Sequence, residues 1–584
     1  MVNLTIDGKH ISVKEGTTIL EAAKKAHINI PTLCKWKGLN EIGACRVCVV
    51  EVKGLELLPA SCITAVEEGM EVFTNTPKVY DARKTNVQLI LSQHNYECAV
   101  CSRNKNCELQ DVVNKLNIND QEYEKDLTPL AWDKDFPLIR DNEKCIKCMR
   151  CIQVCDKISA TGIWDLNLSG GRTTVWTKGG ANIKDMDCTL CGQCITHCPV
   201  GALSSRDDNH KLLGVNGALA DSKKVKVVSI APAVRASWHE FLGLKKEEKS
   251  VKKLVGALKK MGFDYVFDVD FGADLTIMEE GSELIERMKN KDEHQWPMFT
   301  SCCPGWVRWI KSHYPEFVDN LSSAKSPNQM QAAIIKTYFA ESIGKKPEEI
   351  YNVAVMPCVA KKAEADIPTI NSTPSAKDVD AVLTIRELSS LIKLSGINLE
   401  TVEECEFDSP LGESSGAGVI FGVTGGVMEA SLRTAYHILT DKTPPVDAFK
   451  VIRNLGQVKE AEFKINDVTL KVGIVCGLKN TERLLERIKN NEVQYDFVEV
   501  MACPNGCIGG GGQPIHREND LKFKARAKDI YTRDELSVHR NSYENPYIQK
   551  LYSEYLETPL SEKAHHLLHT DHKSWELKDI CYNK

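Results

Sequence analysis

Cys145-Ile146-Lys147-Cys148-Met149-Arg150-Cys151-Ile152-Gln153-Val154-Cys155 sets four thiols at C-x2-C-x2-C-x3-C. Cys188-Thr189-Leu190-Cys191-Gly192-Gln193-Cys194-Ile195-Thr196-His197-Cys198 repeats that spacing 43 residues later. Pro199 follows the second run, and Asp156 stands in the same place after the first. Thiols this dense in a reducing compartment gather on metal rather than on one another. The whole chain has 23 cysteines in 584 residues, 15 of them before residue 200, so a cysteine-dense front precedes a larger, sparser back. The first twenty residues alternate polar and apolar with no signal-peptide core. No apolar run approaches the ~20 residues that cross a bilayer. A soluble, cytoplasmic chain is the expectation. Lys+Arg total 74 and Asp+Glu 80, a formal charge of -6, which leaves no electrostatic footprint for nucleic acid. With 42% hydrophobic and 26% charged residues, disordered and low-complexity classes are excluded.

The repeat resembles bacterial two-cluster ferredoxins, in which the fourth Cys of each run serves the other cluster. The resemblance implies one 4Fe–4S cluster on Cys145, Cys148, Cys151 and Cys198, and a second on Cys188, Cys191, Cys194 and Cys155. Zinc is a poor alternative there. Upstream, Leu4-Thr5-Ile6 and Ile11-Ser12-Val13 alternate across Asp7-Gly8, a hairpin signal. A short helix follows from Thr18 to His27. Cys34, Cys45, Cys48 and Cys62 come next at C-x10-C-x2-C-x13-C, a spacing open to zinc or to a 2Fe–2S cluster. The strand–helix–loop order before Cys34 resembles plant-type ferredoxins, although their loop spacing is shorter. Then His94-x3-Cys98-x2-Cys101-x5-Cys107 offers three thiols and an imidazole. His94 reads either as the fourth ligand of a further 4Fe–4S cluster or as a surface or capping histidine. Several one-electron centres in a row make a wire, so the back should do redox chemistry.

The back reads as α/β. Val225–Ile230, Val353–Met356, Val472–Val475 and Phe497–Val500 are short apolar, β-branched runs. Helical patterns separate them, at 250–261, 275–288 and 481–490, which predicts buried parallel strands with crossover helices. Ligands of such sheets gather beyond the carboxyl ends of strands. Three run-to-loop junctions there deliver cysteine: Cys302-Cys303, Cys358, and Cys503 with Cys507. Gly509 to Gly512 gives four glycines, read as letting backbone approach a bulky group. No Lys-Ser/Thr follows, so a Walker-type phosphate loop fails.

Thr300-Ser301-Cys302-Cys303-Pro304-Gly305-Trp306, Met356-Pro357-Cys358-Val359-Ala360-Lys361-Lys362-Ala363-Glu364 and Glu499-Val500-Met501-Ala502-Cys503 through Gly512-Gln513-Pro514 resemble the three signatures of FeFe hydrogenases. The likeness runs over essentially the whole chain, including the four-centre front of the larger clostridial-type monomeric enzymes. It implies a multidomain α+β and α/β architecture. Residues 1–80 would be a β-grasp ferredoxin-like 2Fe–2S domain and 81–125 a small 4Fe–4S domain with one histidine and three cysteine ligands. Residues 126–209 would hold the two-cluster ferredoxin-like domain, and 210–584 the catalytic domain with parallel sheets and a C-terminal helical wrap. By the same resemblance Cys303, Cys358, Cys503 and Cys507 hold the 4Fe–4S part of an H-cluster. Cys507 would bridge to a diiron unit carrying CO, cyanide and a dithiolate. One 2Fe–2S cluster, three accessory 4Fe–4S clusters and the H-cluster then use 19 cysteines plus His94.

The activity implied is reversible: two protons and two electrons, the latter from reduced ferredoxin, to H2. Cys302, Glu280, Ser322, Glu283 and Arg287 match the family's proton path. On residues alone, Glu279, Glu280 and Glu283 read as a solvated acidic face. Lys361 matches a cyanide hydrogen-bond donor, and Pro232, Met356 and Met501 match residues packed round the diiron unit. The sequence departs at Pro504-Asn505-Gly506, where two glycines are common, at Asn328 for Gln and at Ala233 for Ser. Neither Asn328 nor Ala233 is a ligand. Cys405, Cys476 and Cys581 are left over, and His565-His566-Leu567-Leu568-His569 is unremarkable on its own. Hydrogenase maturation proteins are implied partners, with no nucleic acid and no membrane. The alternative function is a H2-sensing or electron-transfer relative with little turnover.

Overall fold

The structure, a computed structural model, describes residues 1–466, 468–517, 519–580 and 582. Strands β1 (Val2–Ile6) and β2 (Lys9–Val13) form the hairpin, with Asp7 and Gly8 both left-handed at φ 47° and 79°, the backbone of a primed turn. Helix α1 (Ile19–Lys25) starts on a capping box between Thr18 and Glu21. Its Ile19, Ala22 and Ala23 pack on Leu4, Ile6 and Val13. β3 (Glu51–Val52) pairs antiparallel with β4 (Glu71–Phe73), and β4 pairs parallel with β1. Next come α2 (Pro77–Ser92) and α3 (Glu108–Lys115). Buried Arg83 ties α2 to this first unit by donating twice to the Val49 carbonyl, at 3.1 and 2.7 Å.

Two small antiparallel pairs frame the cysteine repeat: β5 (Leu138–Arg140) with β8 (Leu203–Ser205), and β6 (Trp164–Asn167) with β7 (Thr174–Thr177). Helices α4 (Arg150–Lys157) and α5 (Gln193–His197) follow the first thiols of each run. The sequence repeat is also a backbone repeat. Lys147 and Met149 are left-handed in the first run, and their counterparts Leu190 and Gly192 are left-handed in the second. Alternating handedness curls each loop so that its amides and thiols face one space.

The back holds β9 (Val225–Ile230), β10 (Tyr265–Asp268), β11 (Met298–Phe299), β12 (Ile350–Met356), β13 (Ala381–Thr384), β14 (Val458–Ile465), β15 (Val468–Cys476) and β16 (Phe497–Met501). One sheet, ordered β10-β9-β12-β13, is parallel throughout. The other, ordered β11-β16-β15-β14, is mixed, because β14 returns antiparallel beside β15. The expectation of parallel sheets alone is corrected at that edge. Val227, Val228, Ile230, Val353 and Val355 are wholly buried, as both-face coverage of a parallel sheet requires. Helices α6 (Pro232–Arg235), α7 (Val251–Lys260), α8 (Val269–Lys289), α9 (Pro304–His313) and α10 (Pro327–Ile334) cover the sheets and flank the strand ends.

Helix α8 begins two turns before the apolar pattern suggested. Its first turns bury carboxylates on partners: Asp270 on Arg235 at 2.6 Å, and Asp274 on Ser415, Ser542 and Asn545. A charged residue facing inward on a paired group breaks hydrophobic periodicity without breaking the helix. One apolar core runs from Val47 and Val87 past the repeat's cysteines to Trp306, Trp309 and Val498, so front and back share an interior. Among the described residues no helix is long and apolar enough to cross a membrane.

A buried ionic knot also joins them. Lys362, wholly buried, donates to Asp208 at 2.8 Å, Glu387 at 2.9 Å and the Val382 carbonyl at 2.6 Å, while Arg206 holds Asp208 at 2.8 Å. Replacing Lys362 with Ala removes the buried cation shared by Asp208 and Glu387, though Arg206 and Thr384 still serve them, a loss of about 3 kcal/mol. A clear fall in the calorimetric unfolding temperature is expected, and an unchanged one would show the knot to be idle.

Candidate active site and cluster sites

The five cysteine sets occupy separate places. In the first, the Cys34 thiol is hydrogen-bonded to those of Cys45 and Cys62, and Cys48 to Cys62. These contacts pull Cys34 and Cys48 below the ordinary thiol value and push Cys45 and Cys62 above it. His94, Cys98, Cys101 and Cys107 line one open cavity of about 640 Å³. His94 is buried, which corrects the surface reading. Its Nδ1 lies 3.0 Å from the Lys144 carbonyl, and since a carbonyl only accepts, Nδ1 carries the proton and Nε2 is the free lone pair. Burial pushes this imidazole down to about 4, so it is neutral, as ligation needs.

The repeat's cysteines divide crosswise. Cys145, Cys148 and Cys151 share a cavity with Cys198, while Cys188, Cys191 and Cys194 share another with Cys155. Among the described residues no three His, Cys, Asp or Glu groups close on a point that one metal ion could fill. The thiols stand around spaces instead, a donor set that suits multi-iron clusters.

Side chains tie these sites together through ligand carbonyls. Asn40 donates to the carbonyls of Cys34 at 2.7 Å and Cys148 at 2.9 Å. Arg150 pairs with Glu108 at 2.8 and 2.9 Å and donates to the carbonyls of Cys34, Lys35 and His197, so one guanidinium touches all three front units. At the junction with the back, Cys503 Sγ lies 3.6 Å from the Cys191 carbonyl, and Gln193 donates to the Gly509 carbonyl at 2.9 Å. Here the glycine run also meets backbone. A Cβ on Gly511 would fall 2.4 Å from the Cys191 carbonyl oxygen and 2.5 Å from Gly192 Cα.

Cys303, Cys358, Cys503 and Cys507 converge from the ends of β11, β12 and β16, as the strand-end rule anticipates. Cys303 caps α9, and Cys507 sits in the turn Gly506–Gly509, reached through left-handed Asn505 and Gly506. Asn505 therefore takes the backbone that a second glycine would. Burial pushes the Cys303, Cys358 and Cys507 thiols up, Cys358 to about 12. These three lie deep in the molecule yet keep accessible surface, so they face an interior space. Lys361 stands beside them, held by Glu364 at 2.8 and 2.9 Å. Gln513 donates to the Cys507 carbonyl at 3.0 Å and accepts from Ser237 at 2.6 Å. Ala233, Cys302 and Met501 pack in one apolar cluster against Cys303 and Cys507, while Met356 lies in the core beneath β12 and Pro232 opens α6. Asn328 is buried with its amide nitrogen unpartnered. Thiols, a cation and a free donor fit an anionic iron cluster with polar ligands.

Cys302, Glu280, Ser322, Glu283 and Arg287 form a line from this space outward. Glu280 is fully buried, and neither carboxylate oxygen has a well-formed hydrogen bond, though the Ser322 hydroxyl and Ser301 amide lie nearest. Burial first, then the Glu283 charge, pushes Glu280 up to about 8. Burial also pushes the Cys302 thiol up, with Glu280 the first charged group facing it. Ser322 donates to Glu283 at 2.9 Å, and Arg287 donates to Glu283 at 2.6 Å. The solvated acidic face is thus corrected: Glu279, Glu280 and Glu283 are all buried. Cys476 ends β15 with its sulfur accepting from the Asn505 amide at 3.3 Å, and Cys405 lies apart, half-buried. Cys581 lies outside the described residues.

Glu364, Gln513 and Gln193, though inside the motifs, and Asn40, outside them, were given no role by the sequence reading. Only Glu364, at i+3 from Lys361, carried a local signal. Adding a methyl at Gly511 should part the front from the back. Gly511→Ala is expected to slow reoxidation of reduced front clusters by about tenfold or more, followed by stopped-flow absorbance, with iron content unchanged.

Comparison with known proteins assigns the parts. Residues 224–511 match the family described as iron only hydrogenase large subunit, C-terminal domain, and residues 520–575 match iron hydrogenase small subunit. Residues 1–77 match a 2Fe-2S iron-sulfur cluster binding domain, 83–122 the NADH-ubiquinone oxidoreductase-G iron-sulfur binding region, and 138–202 a 4Fe-4S dicluster domain. The chain is 44% identical to the NADP-reducing hydrogenase subunit HndD of Solidesulfovibrio fructosivorans, over 98% of both chains. It is 39% identical to iron hydrogenase 1 of Clostridium pasteurianum, over 98% of this chain and all of that one. An apo FeFe-hydrogenase of Chlamydomonas reinhardtii superposes with a TM-score of 0.54 at 41% identity, covering 62% of this chain and 96% of its own. Ferredoxin-like iron–sulfur domains precede a catalytic fold of parallel and mixed sheets, and the chain belongs to the iron-only, or FeFe, hydrogenase family.

Proposed function

We propose that the chain is a reversible hydrogenase that exchanges electrons with reduced ferredoxin: two protons and two electrons give H2, and H2 returns them. Convergence of four thiols and Lys361 on one interior space carries this reading, with a relay leaving one side and Cys191 reaching the other. Cys303, Cys358, Cys503 and Cys507 would hold the H-cluster, which when bound supplies the iron at which protons and electrons combine. Four accessory clusters would sit on the sets described, one 2Fe–2S on Cys34, Cys45, Cys48 and Cys62, and three 4Fe–4S. The domains would divide at 1–80, 81–125, 126–209 and 210–584, in a monomer that maturation proteins load.

The chain's own residues do the rest. Cys191 and Cys503 bring the last accessory site and the catalytic site into contact. Glu280 passes protons between Cys302 and Ser322, and Glu283 exchanges them near Arg287. Lys361, fixed by Glu364, presents a charged donor to the space. Ala233, Met356, Met501 and Pro232 keep it dry, and Asn328 adds a neutral donor.

Protein matured with the hydrogenase maturation proteins should evolve H2 from reduced viologen and from reduced ferredoxin. Evolution from NADPH by the single chain would overturn the ferredoxin assignment. Absence of evolution with all iron–sulfur clusters present would favour the H2-sensing alternative. Cys302→Ser should lower turnover by about 10²-fold or more with clusters intact. Glu280 is protonated below about pH 8 and ionised above it. Delivering protons needs the first form and removing them the second, so H2 evolution should fall and H2 oxidation rise as pH passes through about 8, as pH–rate profiles in both directions would read.

A further inference from the structure

The turn that carries Ser322 is held by the far end of the chain. Residues 322–325 and 567–572 run side by side, with an antiparallel bridge between Ala324 and His569. Lys325 donates its amide to the Leu568 carbonyl at 2.8 Å and its Nζ to the Leu567 carbonyl at 2.9 Å. Thr570 donates back to the Ser323 carbonyl at 2.8 Å, and the His572 ring donates to the Ser322 carbonyl at 2.9 Å. His569 is buried at the centre. Its Nδ1 lies 2.8 Å from Ser323 Oγ, and its Nε2 lies 3.0 Å from Glu279.

These bonds have one consistent direction. Glu279 already accepts from the Tyr552 hydroxyl and from the Leu560 amide at 2.9 Å, so it faces His569 as an acceptor. Nε2 then carries the proton, leaving Nδ1 to accept from the Ser323 hydroxyl. With its hydroxyl turned to His569, Ser323 presents its amide to Glu283, at 3.2 and 3.1 Å from the two oxygens. Ser322 Oγ meets the same carboxylate. Neighbouring residues of α8 thus serve two tasks: Glu280 faces Cys302, and Glu279 anchors the clamp.

We propose that His569 is a positioning residue for proton transfer, acting through Ser323 to keep the Ser322–Ser323 turn registered on Glu283. This rests on the proton route proposed above. The segment that does it lies within residues 520–575, the stretch that matches iron hydrogenase small subunit.

The test uses full-length, matured protein carrying His569→Ala or His569→Gln. A glutamine amide can donate to Glu279 while its carbonyl accepts from Ser323, so it replaces both bonds without titrating. Expected for His569→Ala is a loss of about tenfold or more in H2 evolution and a larger solvent deuterium isotope effect. Deuterium uptake in peptide 321–326 should rise, with iron content and the CO and cyanide infrared bands unchanged. His569→Gln should restore turnover, isotope effect and uptake together. A glutamine variant as slow as alanine would overturn the proposal, since the imidazole would then itself carry protons. Full turnover in His569→Ala would overturn it too. Cys302→Ser, run in parallel, separates the failures: if it is slow while His569→Ala is fast, only the positioning role falls, whereas if it is fast the route falls and the positioning role with it. Ser323→Ala removes the same link with a smaller change, and reads the same way should His569→Ala fail to fold.

Discussion

The backbone contact between Gly511 and Gly192 governs the assembly, because two segments of the chain touch there with no side chain between them. One belongs to the loop that brings Cys503 and Cys507 to the catalytic space, the other to the run that carries Cys191. The two loops approach so closely that Cys503 Sγ lies 3.6 Å from the Cys191 carbonyl. The shared apolar core, the Arg308 bonds to the Cys188 carbonyl and the Lys362 knot all hold that approach in place.

In the proposed reading, electrons and protons would reach the site from different sides. Carbonyls of cluster-bearing loops, bridged by Asn40, Arg150 and Gln193, mark the electron side. One face of α8, carrying Glu280, Glu283 and Arg287, would be the proton side, where burial pushes Glu280 up to about 8.

Much of this was legible in the sequence because metal ligation is local. A C-x2-C-x2-C run encodes its own curvature, which is why the 43-residue repeat returned as matching left-handed residues. Strand ends followed by cysteine were equally readable, since parallel sheets gather ligands there. Contacts between distant segments were not. Glu279 and His569 are 290 residues apart, and His565-His566-Leu567-Leu568-His569 looks like an ordinary surface helix. The early turns of α8 hid because their inward carboxylates imitate a solvated face. In the glycine run, close approach was legible, but not that distant backbone is among what approaches.

The crosswise sharing of the repeat carries one more consequence. Cys198 belongs to the first run's cavity and Cys155 to the second's. Neither half can therefore be completed alone: a cut anywhere between residues 156 and 187 would leave each fragment with three of the four thiols of its own cavity and one thiol that belongs to the other. If the cavities hold clusters as proposed, the smallest piece of this region that could be transplanted as a working unit is the pair.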